Sequence, residues 1–142
     1  MNKVYPKWSE LPNLDLYLDQ VLLYVNQLDS SSIVDDNKGL TAAMINNYVK
    51  NGHLDKPIKK KYNRKQLARL IVITCLKNVF SIQEISKTIN SLTSEGSSEE
   101  MYDNFVMCMN GEKREGLPEV IVAACDTVRL YKKTHDLVEK IK

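Results

Sequence analysis

Two neighbouring carboxamides, Asn46 and Asn47, stand in the stretch LTAAMINNYVKNG, residues 40–52. A carboxamide donates and accepts at once, so it can pair bidentately with the major-groove edge of adenine. Lys50 closes the same stretch, and Lys59, Lys60 and Lys61 follow soon after, among Lys56, Arg64 and Lys65. Cations at that density suit phosphate. On a helix starting at Thr41, the residues Met44, Ile45 and Tyr48 share one face. Ala42, Ala43, Asn46, Asn47 and Lys50 share the other. That outer face begins with two small residues that permit close approach, continues with two amides and ends in a cation. It offers base edges to the helix and backbone charge to the loop behind it. With about five or six phosphate contacts from that loop, affinity should fall roughly a thousandfold between low and moderate salt. The simpler reading is a pair of solvated asparagines beside a solvated lysine face.

Other chemistries have little to stand on. His53 sits beside a glycine and His135 near the end of the chain, with no cysteine or carboxylate at a catalytic spacing from either. There is no phosphate-cradling glycine loop and no paired-carboxylate motif, so neither an enzyme nor a cofactor is expected. Cys75, Cys108 and Cys125 lack metal-like spacing and lie in apolar helical patterns. They read as buried thiols, with a redox or metal sensor as the alternative. Their odd number, without a secretory leader pattern, predicts a reducing cytoplasm. No apolar run approaches membrane length.

The charge is unevenly spread. Residues 1–40, 41–90 and 91–142 carry net charges of −3, +8 and −3. A basic middle between acidic flanks suggests a polyanion-facing surface. At 142 residues and 43% hydrophobic content, the chain suits one domain, or one domain with an oligomerisation arm.

The elements that must position these residues are mostly helices. Residues 1–13 hold Trp8 between Pro6 and Pro12 and predict an irregular arm. Leu14, Leu18, Val21, Leu22, Val25 and Leu28 trace one face of a helix beginning at Leu14. Residues 29–39 read as a loop. Three helix starts share one logic: Thr41 with the staple Leu40/Ile45, Asn63 with Gln66 and Tyr62/Leu67, and Ser81 with Glu84 and Phe80/Ile85. The predicted helices are 41–51, 63–79 and 81–92, the middle one carrying LIVITCL as the central buried helix. Between the first two, HLDKPIKKKYN is broken by Pro57 and forms either a small hairpin or an extended basic loop. The polar stretch 91–100 predicts a boundary between a domain over 1–92 and a helical dimerisation region over 93–142. There, Tyr102, Phe105, Val106 and Met109 form a short stripe, broken at Gly111 and Gly116. Pro118 opens a long last helix with the seam Ile121, Ala124, Val128, Tyr131 and Val138, where His135 replaces an apolar residue.

Met44-Ile45-Asn46-Asn47-Tyr48, then Gly52, Leu54, Pro57 and Tyr62, resembles the second helix and wing of MerR-type winged helix-turn-helix regulators. Their pattern runs T-I-R-Y-Y-E, G-L-L, a proline and a wing ending in G-Y-R. Phe80-Ser81-Ile82-Gln83-Glu84-Ile85 resembles that family's F-S-L-E-E-I. The fuller pattern over 14–92 is similar to a bacterial domain-of-unknown-function family of MerR-like character. Departures fall at the contact positions. Asn46 and Asn47 replace an arginine and a tyrosine, so that arginine's phosphate grip does not carry over. Lys61 takes the place of the wing glycine and Asn63 that of the following arginine. Gly52 matches, and implies a left-handed helix cap. The family's first helix has no plain counterpart, since a Ser/Asp loop follows the helix that begins at Leu14.

The expected architecture is therefore all-α with a small β-wing, a MerR-like winged helix-turn-helix followed by C-terminal helices. The expected function is sequence-specific binding of double-stranded DNA as a transcriptional regulator, by a homodimer joined through its C-terminal helices. Helix 41–51 would enter the major groove and the wing 56–65 would lie on phosphates. The residues expected at DNA are Thr41, Ala43, Asn46, Asn47, Lys50, Lys56, Lys59, Lys60, Lys61, Tyr62, Arg64 and Lys65. The rival is a protein-interaction module on the same scaffold, without DNA binding. Symmetric DNA binding requires two copies of helix 41–50 roughly 34 Å apart; docking to a protein does not. The sequence names no operator and no small-molecule or protein effector.

Overall fold

Why a segment rich in Ile, Val and Leu becomes a helix and not a strand is settled at its start. The Asn63 side chain accepts from Gln66 N (2.9 Å) while Gln66 Oε1 accepts from Asn63 N (2.7 Å). This reciprocal cap satisfies two orphan amides and launches the helix Arg64–Leu76. In a computed structural model describing residues 4–28, 39–94 and 96–142, that helix is buried at 10 of its 13 positions. The described residues form, in order, a 3-10 turn Trp8–Glu10, strand β1 Leu16–Tyr17, helices α1 Leu18–Leu28 and α2 Ala42–Lys50, strand β2 Lys61–Tyr62, then α3 Arg64–Leu76, α4 Ile82–Ser94, α5 Ser98–Met109 and α6 Glu119–Glu139. Helix α3 packs against α1, α4, α5 and α6.

The chain is mainly helical with one small two-stranded antiparallel sheet. The three predicted helix starts stand: Thr41 Oγ1 accepts from Met44 N, Asn63 caps α3, and Ser81 Oγ accepts from Glu84 N. The first helix differs. It begins at Leu18, because Leu16 and Tyr17 are drawn into a strand opposite Tyr62 and Lys61, and Leu14 is left exposed. The predicted loop 29–39 lies outside the described residues up to position 38. Below it, Asn26 on α1 grips Leu40 from both sides, donating Nδ2 to its carbonyl and accepting its N–H on Oδ1, each at 2.9 Å. That clamp fixes the residue just before the Thr41 cap and so aims α2.

The arm is not loose. Asn110 repeats the two-sided grip on Tyr5, accepting its N–H at 2.7 Å and donating to its carbonyl at 3.0 Å. The Tyr102 hydroxyl donates to Pro6 O, Asp103 accepts from Trp8 N, and the Trp8 ring meets Tyr102 edge-on. Buried residues on both sides of position 92, from Leu67 to Val106 and Val128, join one hydrophobic cluster. The last helix is half-embedded: Ile121, Cys125 and Val128 are buried, while nothing beyond Val128 is. Arg129 reaches back to the carbonyls of Cys108 and Met109 and closes the end of α5, where a cation suits the helix dipole.

Asn110→Ala removes two hydrogen bonds from the backbone of a buried Tyr5. It should cost about 2 kcal/mol, which thermal denaturation would register as a midpoint lower by roughly 6 °C. Lys7→Ala, which removes only the exposed ion pair with Glu112, should shift it far less. Equal shifts would mean that the arm is held by its surface charges and not by Asn110.

Candidate nucleic-acid interface

Helix α2 buries Ile45 and Tyr48 and leaves Ala43, Asn46, Asn47 and Lys50 exposed, as the pattern predicts. Asn46 makes no side-chain hydrogen bond among the described residues. Asn47 Oδ1 accepts from Asn51 Nδ2 at 3.0 Å, which turns its amide group toward the end of the helix. Thr41 is exposed but its hydroxyl is committed to the cap. The helix stops at Gly52, whose φ of +79° lets Gly52 N reach Val49 O and His53 N reach Tyr48 O. This is the left-handed closure expected of that glycine.

The segment leaving α2 is then held by two polar side chains of α3. Gln66 Nε2 donates to the carbonyls of Asp55 (2.9 Å) and Lys56 (3.0 Å). Arg69 donates Nε to His53 O (2.6 Å) and Nη2 to Ser86 Oγ (2.9 Å). Neither tie was legible beforehand: Gln66 reads only as a cap partner, and Arg69 as a lone cation in an apolar run. With residues 53–56 fixed, the chain makes a hairpin. Ile58 and Lys61 exchange both backbone hydrogen bonds at 3.0 Å across Lys59 and Lys60. The two turn residues have φ of +52° and +69°, the geometry of a type I′ turn. Asn-Gly is the usual choice there, because β-carbons crowd the left-handed region. Here two exposed lysines occupy it.

The remaining predicted contacts divide. Lys56 and Lys65 are exposed. Lys61 is half-buried, with its ammonium 5.0 Å from the Tyr17 ring centroid. Arg64 faces the arm: Nη2 donates to Asn13 Oδ1 at 2.8 Å and its guanidinium lies 5.9 Å from the Trp8 ring centroid. Tyr62 must be removed from the set. It is 4% exposed and packs in the core, and burial raises its hydroxyl's pKa. Paired with Leu16, it points inward and anchors the hairpin to the core. All three cysteines are buried thiols outside any disulfide among the described residues, and burial raises the Cys125 thiol well above its usual range. Among the described residues no cluster of His, Cys, Asp and Glu could hold a metal ion, and no helix is long and apolar enough to cross a membrane.

Residues 6–105 match the profile of a family described as Domain of unknown function (DUF1836). The chain belongs to the DUF1836 family. The matched segment carries α2, the hairpin and α3, and ends inside α5; α6 lies beyond it. No curated protein and no solved structure matches the chain. The DUF1836 description assigns no activity.

If the tip is held against its conformational preference, relaxing it should show. Lys59→Asn with Lys60→Gly should stabilise the protein by about 1 kcal/mol and raise the melting midpoint by roughly 3 °C. A lower midpoint would contradict the left-handed geometry.

Proposed function

We propose that the protein binds double-stranded DNA sequence-specifically as a transcriptional regulator of winged helix-turn-helix type. One observation carries the reading. An exposed amide pair lies on a helix aimed by clamps at both ends, and a hairpin tip made of two exposed lysines follows in the next ten residues. Asn46 and Asn47 read base edges; Lys50, Lys56, Lys59, Lys60 and Lys65 hold phosphates. Lys61 and Arg64 contribute from the rim, since both are already partly engaged.

The site acts as a pair, and α6 offers the means. Its inner seam is buried only as far as Val128. A second seam runs along its outer side: Val120, Ala123, Thr127, Leu130, Thr134 and Leu137, spaced alternately by three and four residues and all exposed, with Ile141 at the next interval just past the helix end. Leu130 is 63% exposed and Ile141 76%. That spacing is the heptad pattern of a two-helix packing. Glu119 flanks its beginning and Lys140 its end, on one side, so two copies laid antiparallel bring opposite charges together. Asp126, on the same flank, is already held by Arg114 and Arg129.

The protein-interaction alternative keeps one observation in its favour. Ile58 is 72% exposed and Tyr17 48%, and β pairing sets them on either side of Lys61, giving two apolar side chains that phosphate does not use.

Fluorescence anisotropy with random and selected duplexes separates the two. Asn46→Ala with Asn47→Ala should relax sequence preference and leave nonspecific affinity nearly intact. Replacing Lys59, Lys60 and Lys61 together with glutamine should weaken binding to every duplex and reduce the salt slope by about 2 to 3. Unchanged affinity in the triple variant would remove the hairpin from the DNA interface; no duplex binding by the parent protein would favour the docking role. Independently, Leu130→Glu with Leu137→Glu should convert a dimer to a folded monomer in sedimentation equilibrium. A dimer that survives would place the interface elsewhere.

A further inference from the structure

A cleft of about 160 Å³ opens where the turn after α2, helix α3, the end of α4 and the start of α5 meet. That is about the room in which an apolar cavity holds a benzene-sized molecule. Its chemistry is two-sided. Leu54, Ala68, Ile89 and Met101 supply an apolar floor, while Lys65 and Arg69 stand one helical turn apart on the α3 wall. A guanidinium has five N–H donors in a planar fork. Arg69 spends one on His53 O and one on Ser86 Oγ, so its plane is fixed by two different elements. Its Nη1 has no hydrogen-bond partner among the described residues and is not sealed from solvent. Packing around Arg69 also withdraws water from the charge, which lowers its pKa. Among the described lining residues the one carboxylate is Asp55; it is exposed to solvent and makes no side-chain hydrogen bond, and its charge acts on Arg69 only as the lesser influence, opposite to the desolvation. A rigid fork with unspent donors, a second cation beside it and a small apolar floor match a carboxylate with a compact hydrocarbon body.

We propose that this cleft is a binding site for a compact organic carboxylate. The carboxylate group meets Arg69 and Lys65, and the hydrocarbon part covers Ile89 and Met101. The site deepens the DNA-binding reading, on which its meaning as an effector site rests. One of its walls is the Gly52–Asp55 turn that joins α2 to the hairpin, so an occupant bears on the elements that would touch DNA. Binding itself can be tested without DNA, so a failure here and a failure of the DNA reading are distinct results.

Isothermal titration calorimetry of the full chain with benzoate, benzamide and inorganic phosphate decides. Benzoate should bind in the millimolar range or tighter, with benzamide and phosphate each at least tenfold weaker. Lys65→Gln should weaken benzoate at least fivefold. Arg69→Gln should abolish binding, and because it also cuts the tie to His53, its fold is checked by circular dichroism. Should it unfold, Asn90→Phe, which narrows the cleft from an exposed position, takes its place with the same expected loss. Absence of benzoate binding overturns the proposal, as does binding that survives both Lys65→Gln and the cleft variant. Benzamide equal to benzoate would reduce the site to an apolar pocket, and phosphate equal to benzoate would reduce it to a simple anion site; either result refutes the class assigned.

Discussion

Helix α3 is enclosed on nearly every side, and a polar atom on such a helix gains most by finding a partner within the protein. Arg64 Nε and Thr74 Oγ1 are buried without one among the described residues, while Gln66 and Arg69 reach out to neighbouring segments. That constraint organises the rest. Gln66, 5% exposed, spends its whole carboxamide on the Asn63 amide and on the carbonyls of Asp55 and Lys56. Arg69 commits Nε to His53 and Nη2 to Ser86 and keeps Nη1 unspent among the described residues. The path of the chain from α2 into the hairpin is therefore dictated from below by the polar needs of the central helix. The exposed residues above it inherit their positions from that accounting.

The same economy recurs at a distance. Asn26 and Asn110 each grip one backbone residue from both sides, and each ties an irregular segment to a helix. The first sets the entry to α2. The second folds the arm over α5, where Trp8 then lies against Tyr102 and beneath Arg64. The arm thus competes with solvent, and with any polyanion, for the cation at the start of α3. Residues on the two sides of the polar stretch 91–100 join one cluster because α3 packs directly against α5 and α6, with the arm laid over the same cluster.

What could be read beforehand was local. Caps and staples at Thr41, Asn63 and Ser81 act within four residues, so their signatures survive in the sequence. Gly52 is equally local, because one left-handed residue closes its helix. The amide face of α2 followed from periodicity alone. Leu14 was misplaced because strand pairing with residues 61 and 62, more than forty positions away, competes with helix periodicity. Tyr62 was misassigned because the resemblance lent it a contact role, while its β register decides that it points inward. The outer seam of α6 was hidden by its inner one: both follow the same spacing one residue apart, and sequence does not say which face meets the core.

The hairpin tip is where local preference and fold disagree most. Lys59 and Lys60 occupy a conformation that costs a residue with a side chain about 1–2 kcal/mol each. Nothing in the packing asks for lysine there, since both side chains are exposed. A turn chosen for stability alone would place glycine or asparagine at these positions. The neighbouring residues do hold the turn in place: Ile58 and Lys61 close it, Tyr62 is sunk in the core, and Gln66 fixes its entry. Strain that the surroundings impose, at two exposed cations, is the kind of local rule-breaking found where a sequence answers to something other than stability. The charge is retained at the expense of the turn, which is why the tip carries more weight than the length of the lysine run.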